Sequence, residues 1–292
     1  MDLRVLKSFV TVSKLGNITR ASERLFISQP ALTRQIQELE KELGCKLLDR
    51  CSRNLSLTES GYLFLIRAEE MLALAERTKQ ELCEKGEFLR GIVRVGVVET
   101  VVMDLLTDLI SEFCQNHKHV RFEIYSADGD DLRRSLDENK LDIAFLLEPV
   151  ESAKYEKIHL PTKETWGLAV REQDVPADKT YLTHDEVASM PLILPRRYIV
   201  IDEITGWLGV PEQNLKIVAY HNIPSNALSM VEKGLGALLC VEGSFTNRGK
   251  PGIKFLPIHP KRVSGHVVVR KKNHNLSRAA EIFWESLSPS KE

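Results

Sequence analysis

The chain is poor in cysteine, with five residues, Cys45, Cys51, Cys83, Cys114 and Cys240, and no C-x-x-C pair among them. An odd, dispersed set excludes a disulfide framework and offers no zinc-ligand spacing. The thiols therefore read as inert side chains in a reducing compartment. No apolar run approaches the ~18 residues that span a bilayer, so no membrane segment is expected. The opening MDLRVLKSFV turns polar without a small-residue cleavage site, which predicts no export signal and a cytoplasmic location. Catalytic signatures are missing too: no H-E-x-x-H, G-x-S-x-G, G-x-x-x-x-G-K or G-x-G-x-x-G occurs. Gly234 and Gly236 lack the third glycine of a dinucleotide fingerprint and precede a strand. These absences read against an enzyme, and no catalytic residue, metal ligand or cofactor is expected.

What is present is ordinary globular material: 292 residues, 43% hydrophobic and 28% charged, enough for about two domains with real cores. Charge is unevenly placed. Residues 1–58 hold ten Lys/Arg against six Asp/Glu, whereas the whole chain has a net charge of -1. A basic head on an acidic body points to a polyanion at the N-terminal end.

Three short helices are predicted in that head. Leu3, Leu6, Phe9 and Val10 share one face over residues 2–14. Thr19 is the expected cap of a second helix over 19–26, with Ala21 and Leu25 inward. Ser28 offers the next N-cap, and Pro30 sits in the first turn, where its missing N–H costs nothing. Leu32, Ile36, Leu39 and Leu43 line one face of that third helix before Gly44 ends it. Its other face presents Gln29, Thr33, Arg34 and Gln37. Solvation alone produces such a face. Yet Gln suits adenine edges, Arg suits guanine, and Thr suits a thymine methyl or a phosphate. Two helices joined by a tight turn describe a helix-turn-helix. Leu47–Leu48 and Leu55–Leu57 flank a polar turn, a small hairpin or wing with Arg50 and Arg53 at its base and tip, suited to phosphate or minor-groove contact.

The run from Ala21 to Ile36, followed by Leu39, Glu40, Leu43, Gly44, Leu47, Leu48, Arg50, Leu55, Leu57, Thr58 and Gly61, resembles the head of the LysR family of transcriptional regulators in order and spacing. Ile18 stands where that family often has an aromatic, and Leu48 where it often has Phe. The resemblance implies a winged helix-turn-helix over 1–58. Gln29, Pro30, Thr33 and Arg34 would then lie in the major groove of double-stranded promoter DNA, with Arg53 at the wing.

Thr58 can cap a long helix that meets no strong breaker before Gly86 apart from Gly61. Leu65, Ala68, Leu72, Ala75 and Leu82 form a stripe along it, which either packs on its own domain or pairs with a second chain. The family resemblance implies the latter, with residues 59–90 acting as a dimerisation helix and hinge. It further implies a homo-oligomer, a dimer of dimers, on a roughly palindromic site.

Residues 91–292 repeat a strand-helix alternation. Strands are predicted at 93–98, 120–125, 141–147, 191–195, 215–220 and 236–241, with helices at 101–113, 128–138, 199–208 and 223–233. Such alternation makes parallel sheets covered on both faces. Segments 165–170 and 265–270 are the expected crossings between two lobes, and 276–287 is a closing helix. The overall class is α/β with an N-terminal all-α winged helix-turn-helix. The body resembles the two-lobed, periplasmic-binding-protein-like (type II) effector domain of LysR regulators, lobe I over 91–162 and 266–292, lobe II over 163–265.

In such sheets ligands lie beyond the carboxyl ends of strands, at helix N-termini. The expected effector residues are Thr100, Val101, Ser126, Asp128, Arg197, Tyr198, Ile199 and Asn222, with Phe145 as an apolar wall. Arg196 and Arg197 favour a carboxylate if either points inward, while Glu99 and Asp128 argue the opposite. The balance leans to a small organic acid. The expected mechanism is an effector that alters lobe closure, moves the paired heads and changes DNA bending and contact with RNA polymerase. A solute-binding protein without a transcriptional role is the rival reading, and it leaves the basic head unexplained.

Overall fold

The computed structural model describes residues 2–49, 55–83, 89–151, 153–246 and 248–287. They divide into two compact units, residues 1–86 and 87–292.

The first unit is built on capped helices. Helix α1 (Leu3–Leu15) starts where Asp2 accepts from the Arg4 amide, and it buries Leu6, Phe9, Val10 and Val12. Helix α2 (Ile18–Leu25) starts one residue earlier than the pattern suggested. Asn17, not Thr19, is its cap, because the Asn17 side chain accepts from the Arg20 amide. Thr19 lies in the first turn, its carbonyl taken by the Ser22 hydroxyl. The turn leaving α2 places Phe26 at φ 56, a left-handed conformation uncommon outside glycine. Helix α3 (Gln29–Leu43) is capped by Ser28, which accepts from the Ala31 amide, and stops at Gly44. Strands β1 (Leu48–Asp49) and β2 (Ser56–Leu57) pair antiparallel, with Leu48 opposite Leu57. The head is thus helical with one small ribbon. The turn of that ribbon, including Arg50 and Arg53, lies outside the described residues.

Helix α4 (Glu59–Cys83) follows Thr58, whose hydroxyl accepts from the Gly61 amide at 3.0 Å and donates to the Lys46 carbonyl at 2.7 Å. Gly61 is there for contact: a Cβ would stand 2.1 Å from the Leu47 carbonyl oxygen. Leu65, Ala68, Met71 and Leu72 pack on the head's own core, and Phe64 meets Phe9 edge-on at 5.1 Å. Packing on its own domain is one of the two uses that the sequence leaves open for the Leu65-Ala68-Leu72 stripe. The exposed flank of Phe9 and its neighbours needed a lid, and α4 supplies it. The side chain of Leu82 lies outside the described residues. A second stripe, Leu63, Ile66 and Leu74, is exposed instead, with Tyr62 beside it.

The second unit repeats one pattern twice. Its first half runs β3 (Arg90–Val97), α5 (Val102–Asn116), β4 (His119–Ser126), α6 (Gly129–Asp137) and β5 (Ile143–Leu147). The long β6 (Tyr155–Arg171) then crosses to the second half. There follow β7 (Leu182–Thr183), α7 (His184–Ser189), β8 (Pro191–Pro195), α8 (Tyr198–Leu208), β9 (Lys216–His221), α9 (Pro224–Glu232), β10 (Ala237–Val241), α10 (Glu242–Thr246) and β11 (Ile253–His259). Strand β12 (Val263–Lys271) returns to the first half, and α11 (Arg278–Leu287) closes it.

The strand order β4-β3-β5-β12-β6-β10-β8-β9 shows the repetition. In each half the first strand lies between the second and third, all parallel, and an antiparallel crossing strand completes the edge. Strand β6 pairs with β12 up to Thr165 and with β10 from Trp166 onward, so the passage between halves is a single peptide step. Strands β5 and β10 are buried at every position, as expected of parallel strands covered by helices on both faces. Both halves therefore aim the carboxyl ends of their parallel strands at a shared cleft.

Candidate functional site

The first surface of interest is the outer face of α3. Leu32, Ile36 and Leu39 anchor one side in the core, which fixes what the other side shows. Ser28, Gln29, Pro30, Arg34 and Gln37 are exposed there, Thr33 is half-buried, and Thr19 is exposed on α2. The Arg34 side chain is 81% exposed, and its Nε donates to Glu38 Oε1 at 2.9 Å. Such an exposed pair is worth little and yields readily to another acceptor.

One residue of the family-like run holds this surface in a role that the sequence reading does not assign. Glu40 is buried, and its Oε1 accepts from the Leu47 and Leu48 amides at 2.9 and 3.1 Å, while Lys46 Nζ donates to Oε2 at 3.2 Å. Burial pushes the carboxyl up, but the amides of Leu48 and Leu47 outweigh it and leave the group below its usual range. Glu40 thereby ties the reading helix to the base of the wing. A carboxylate on the apolar side of α3, next to Leu39, was the available signal.

The second site is a cavity between the two halves of the larger unit, part of it open to solvent. Of the expected effector residues, Thr100, Asp128, Arg197 and Asn222 lie on its wall. Ser126 lines an adjoining cavity with Thr100 and Met103. Phe145 is fully buried inside β5, Ile199 packs against the core, and Tyr198 is 76% exposed, so none of the three is on the wall. Val101 is also off the wall, its amide donating to Glu164 Oε1 at 2.9 Å.

The wall residues are engaged to different degrees. The Thr100 hydroxyl is 2.8 Å from His266 Nε2, and His266 Nδ1 is 3.1 Å from the Thr162 hydroxyl. Thr100 thus spends its hydroxyl on the hinge strands. Asp128 caps α6, accepting from the Asp130 and Asp131 amides with Oδ1, and its Oδ2 takes Arg196 Nε at 2.6 Å. Arg196 Nη2 also reaches Asp131 at 2.5 Å, and Arg197 Nε donates to Asp130 at 3.0 Å. These pairs join the two halves across the cleft. Gly129 makes the approach possible, since a Cβ there would be 2.9 Å from the Arg197 guanidinium carbon. Glu99, which the sequence set against an anionic ligand, is paired with Arg248.

Three further residues were not anticipated. Trp166 lies on the wall, its Nε1 donating to Ser264 at 2.9 Å and its ring 5.5 Å from that of Trp207. Glu164 is buried and accepts from the amides of Val101 and Gly243, one with each oxygen, so it joins the starts of α5 and α10. Burial raises its pKa, partly offset by those amides. His221 ends β9 on the cavity wall, 9% exposed, with neither ring nitrogen hydrogen-bonded to a side chain or backbone group of good geometry. Burial lowers its pKa to about 4, against the opposing pull of the Leu239 backbone and the Asp128 carboxylate, so the ring is neutral near pH 7.

Among the described residues no group of three or more His, Cys, Asp or Glu is placed to hold a metal ion, and no helix is long and apolar enough to cross a membrane. A winged helix-turn-helix joined in one chain to a two-lobed cleft domain defines a class, that of DNA-binding regulators with a ligand-sensing body. The chain belongs to the LysR family. Residues 3–62 match the model for the bacterial regulatory helix-turn-helix protein, lysR family, and residues 86–290 match that for the LysR substrate binding domain. It is 27% identical over 289 residues to the HTH-type transcriptional regulator BudR of Raoultella terrigena, covering 98% of this chain and 99% of that protein. It is 28% identical over 246 residues to the nitrogen assimilation regulatory protein nac of Klebsiella aerogenes, covering 84% and 79%. Among solved structures, full-length CbnR complexed with its target DNA superposes with a TM-score of 0.77 at 24% identity, covering 98% of each chain. A full-length OxyR variant from Pseudomonas aeruginosa gives 0.64 at 23%, covering 98% of this chain and 94% of that one.

Proposed function

We propose that this LysR-type regulator binds a roughly palindromic promoter site as a homo-oligomer and changes DNA bending when a small organic acid occupies the cleft. The observation that carries this is the division of labour in one chain. A helix whose apolar side is locked in a core presents Gln29, Thr33, Arg34 and Gln37 outward, and a separate unit encloses a cleft whose halves are joined by exchangeable ion pairs. CbnR, which shares the fold, is seen in complex with its target DNA, which supports DNA as the partner of the head. The helix-turn-helix form supports α3 as the helix in the major groove. Arg50 and Arg53 are proposed as the backbone or minor-groove contacts of the wing.

A dimer of dimers is supported by three apolar surfaces. Leu63, Ile66 and Leu74 form an exposed stripe on α4. The two outermost strands of the long sheet, β4 and β9, also expose Ile124 and Tyr125, and Val218 and Tyr220. Edge strands and apolar stripes of this kind are normally covered by a partner. The protein would work in the cytoplasm, beside RNA polymerase, as a regulator and not as an enzyme. Cys240 fits a non-redox role, since burial pushes its thiol up to about 12.

Competition binding to the promoter fragment beside its own coding sequence tests this reading. Full-length protein should prefer that fragment to random duplex, and Arg34→Ala should lose ~1–3 kcal/mol of that preference if the guanidinium reads a base. Equal discrimination by both proteins would refute the role of Arg34.

A further inference from the structure

Resting on the reading of the cleft as the effector site, the geometry points to a particular ligand class. We propose that the cleft takes a small hydroxy-monocarboxylate, its carboxylate on Arg197 and its hydroxyl on His221, with the hydrocarbon part against the apolar wall.

Three wall residues are left with unmet hydrogen-bonding capacity: Arg197, His221 and Glu99, whose Oε1 pairs with Arg248 while its Oε2 has no partner. Arg197 is 7% exposed, and its Nε is satisfied by Asp130, but Nη2 has no partner. Leaving a buried guanidinium nitrogen without an acceptor is costly, and a carboxylate oxygen is its natural complement. The neighbouring cations are already committed. Arg196 is held by Asp128 and Asp131, and Arg248 by Glu99. Among the described residues the wall therefore has one open cationic position, which fits one carboxylate and not two. Helices α8 and α9 begin beside it without a side-chain cap, whereas α6 is capped by Asp128. Uncapped amide ends add to the preference for an anion at this spot.

His221 supplies the second requirement. A neutral imidazole carries one N–H donor and one lone-pair acceptor. In His221 both nitrogens are buried and neither makes a hydrogen bond of good geometry, the Leu239 backbone being the one internal group that pulls on the ring as a hydrogen-bond partner would. A hydroxyl is the small group that meets either nitrogen, because it both donates and accepts. The two residues are neighbours: Pro195 and His221 are paired across β8 and β9, and the Arg196 amide donates to the His221 carbonyl at 2.8 Å. One short ligand can thus span both. Val98, Leu147, Trp166, Pro195, Leu239 and Val241 give the wall an apolar stretch that suits a short hydrocarbon body, beside the polar Glu99, Thr100, Asp128, Asn222 and Ser244. A carboxylate on Nη2 would share the guanidinium with Asp130 on Nε, so occupancy bears on an ion pair that joins the two halves.

The test is calorimetric titration of the full-length protein with four matched probes: 3-hydroxybutyrate, butyrate, succinate and 3-hydroxybutyramide, followed by the C5 and C6 homologues of the hydroxy acid. A hydroxy acid should bind at least tenfold more tightly than its deoxy counterpart, and the dicarboxylate and the amide should bind more weakly still. His221→Leu should abolish the ratio between hydroxy-acid and deoxy-acid affinity. Arg197→Gln should weaken all carboxylates about a hundredfold. Asp130→Asn, which releases Arg197 from its internal partner, should strengthen hydroxy-acid binding severalfold, so a folded variant of opposite sign is at hand should Arg197→Gln unfold. Deoxy acid or amide binding as tightly as the hydroxy acid, or no binding by any probe at 10 mM, overturns the proposal and leaves the cleft reading intact. Hydroxy-acid binding that none of the three substitutions alters overturns both.

Discussion

Glu40 offers a quantitative test of how the reading head is held together. Its side chain is 2% exposed, yet it accepts two main-chain amides, Leu47 and Leu48, through a single oxygen. Glu40→Ala orphans both amides in a buried place. At ~1–3 kcal/mol for each unsatisfied donor, the loss should be roughly 3 kcal/mol. Glu40→Gln keeps a carbonyl oxygen for the amides and loses only the pair with Lys46, whose side chain is 75% exposed. Such a pair is worth ~0–1 kcal/mol. The carboxyl sits below its ordinary value, so its stabilisation is complete above the usual glutamate range and is lost as pH falls through the lowered folded value. The glutamine variant should lack that acid-sensitive part. The assay is amide hydrogen exchange at Leu47 and Leu48 in the full-length chain, alongside unfolding followed by circular dichroism. Tryptophan fluorescence is silent for this event, because Trp166, Trp207 and Trp284 all lie in the second unit. Alanine should strip protection from both amides and glutamine should largely keep it. Unchanged exchange in the alanine variant would refute the reasoning.

Other outcomes follow from the same geometry. Gly61→Ala would place a methyl 2.1 Å from the Leu47 carbonyl oxygen, so α4 must move off the head. A loss of ~1–3 kcal/mol is expected from such overpacking, and a melting temperature equal to the parent's would contradict it. For His221, the folded pKa of about 4 lies below the ordinary 6.5. The neutral ring therefore contributes stability that is complete above pH 6.5 and lost as pH falls toward 4, about 3 kcal/mol in all. Urea unfolding followed by tryptophan fluorescence should show this slope in the parent and a flattened one in His221→Leu; parallel slopes would exclude His221 as its source.

Much of this architecture is legible in the residues. Ser28, Pro30 and Gly44 bracket α3 because cap, first-turn proline and terminal glycine each act locally. The alternation of β3 to β5 and β8 to β10 is written in apolar runs, and the repeated strand order follows from it. Local rules misplace the start of α2, where Asn17 and Thr19 are both competent caps and the actual backbone geometry favours Asn17. They also cannot say which stripe of α4 is used at home, since that depends on the shape of the core around Phe9 and Phe64.

The cleft was legible as a place and not as a set of side chains. Strand ends locate it, which is how Thr100, Asp128, Arg197 and Asn222 come within reach of sequence reasoning. Tyr198 and Ile199 follow Arg197 along the chain, but the first turn of α8 rotates one into solvent and the other into the core. His221 and Trp166 reach the wall only through pairings between strands distant in sequence, and the seat of Arg197 on Gly129 joins two halves separated by more than sixty residues. No local periodicity carries that information.

Whether occupancy of the cleft is read out at the DNA is tested most directly by measuring footprint and bend angle of the full-length protein on its promoter fragment, with and without a saturating cleft ligand. Saturation should alter both the footprint length and the bend while the α3 contacts persist. A ligand that calorimetry shows to be bound through Arg197, yet that leaves footprint and bend identical, would contradict this.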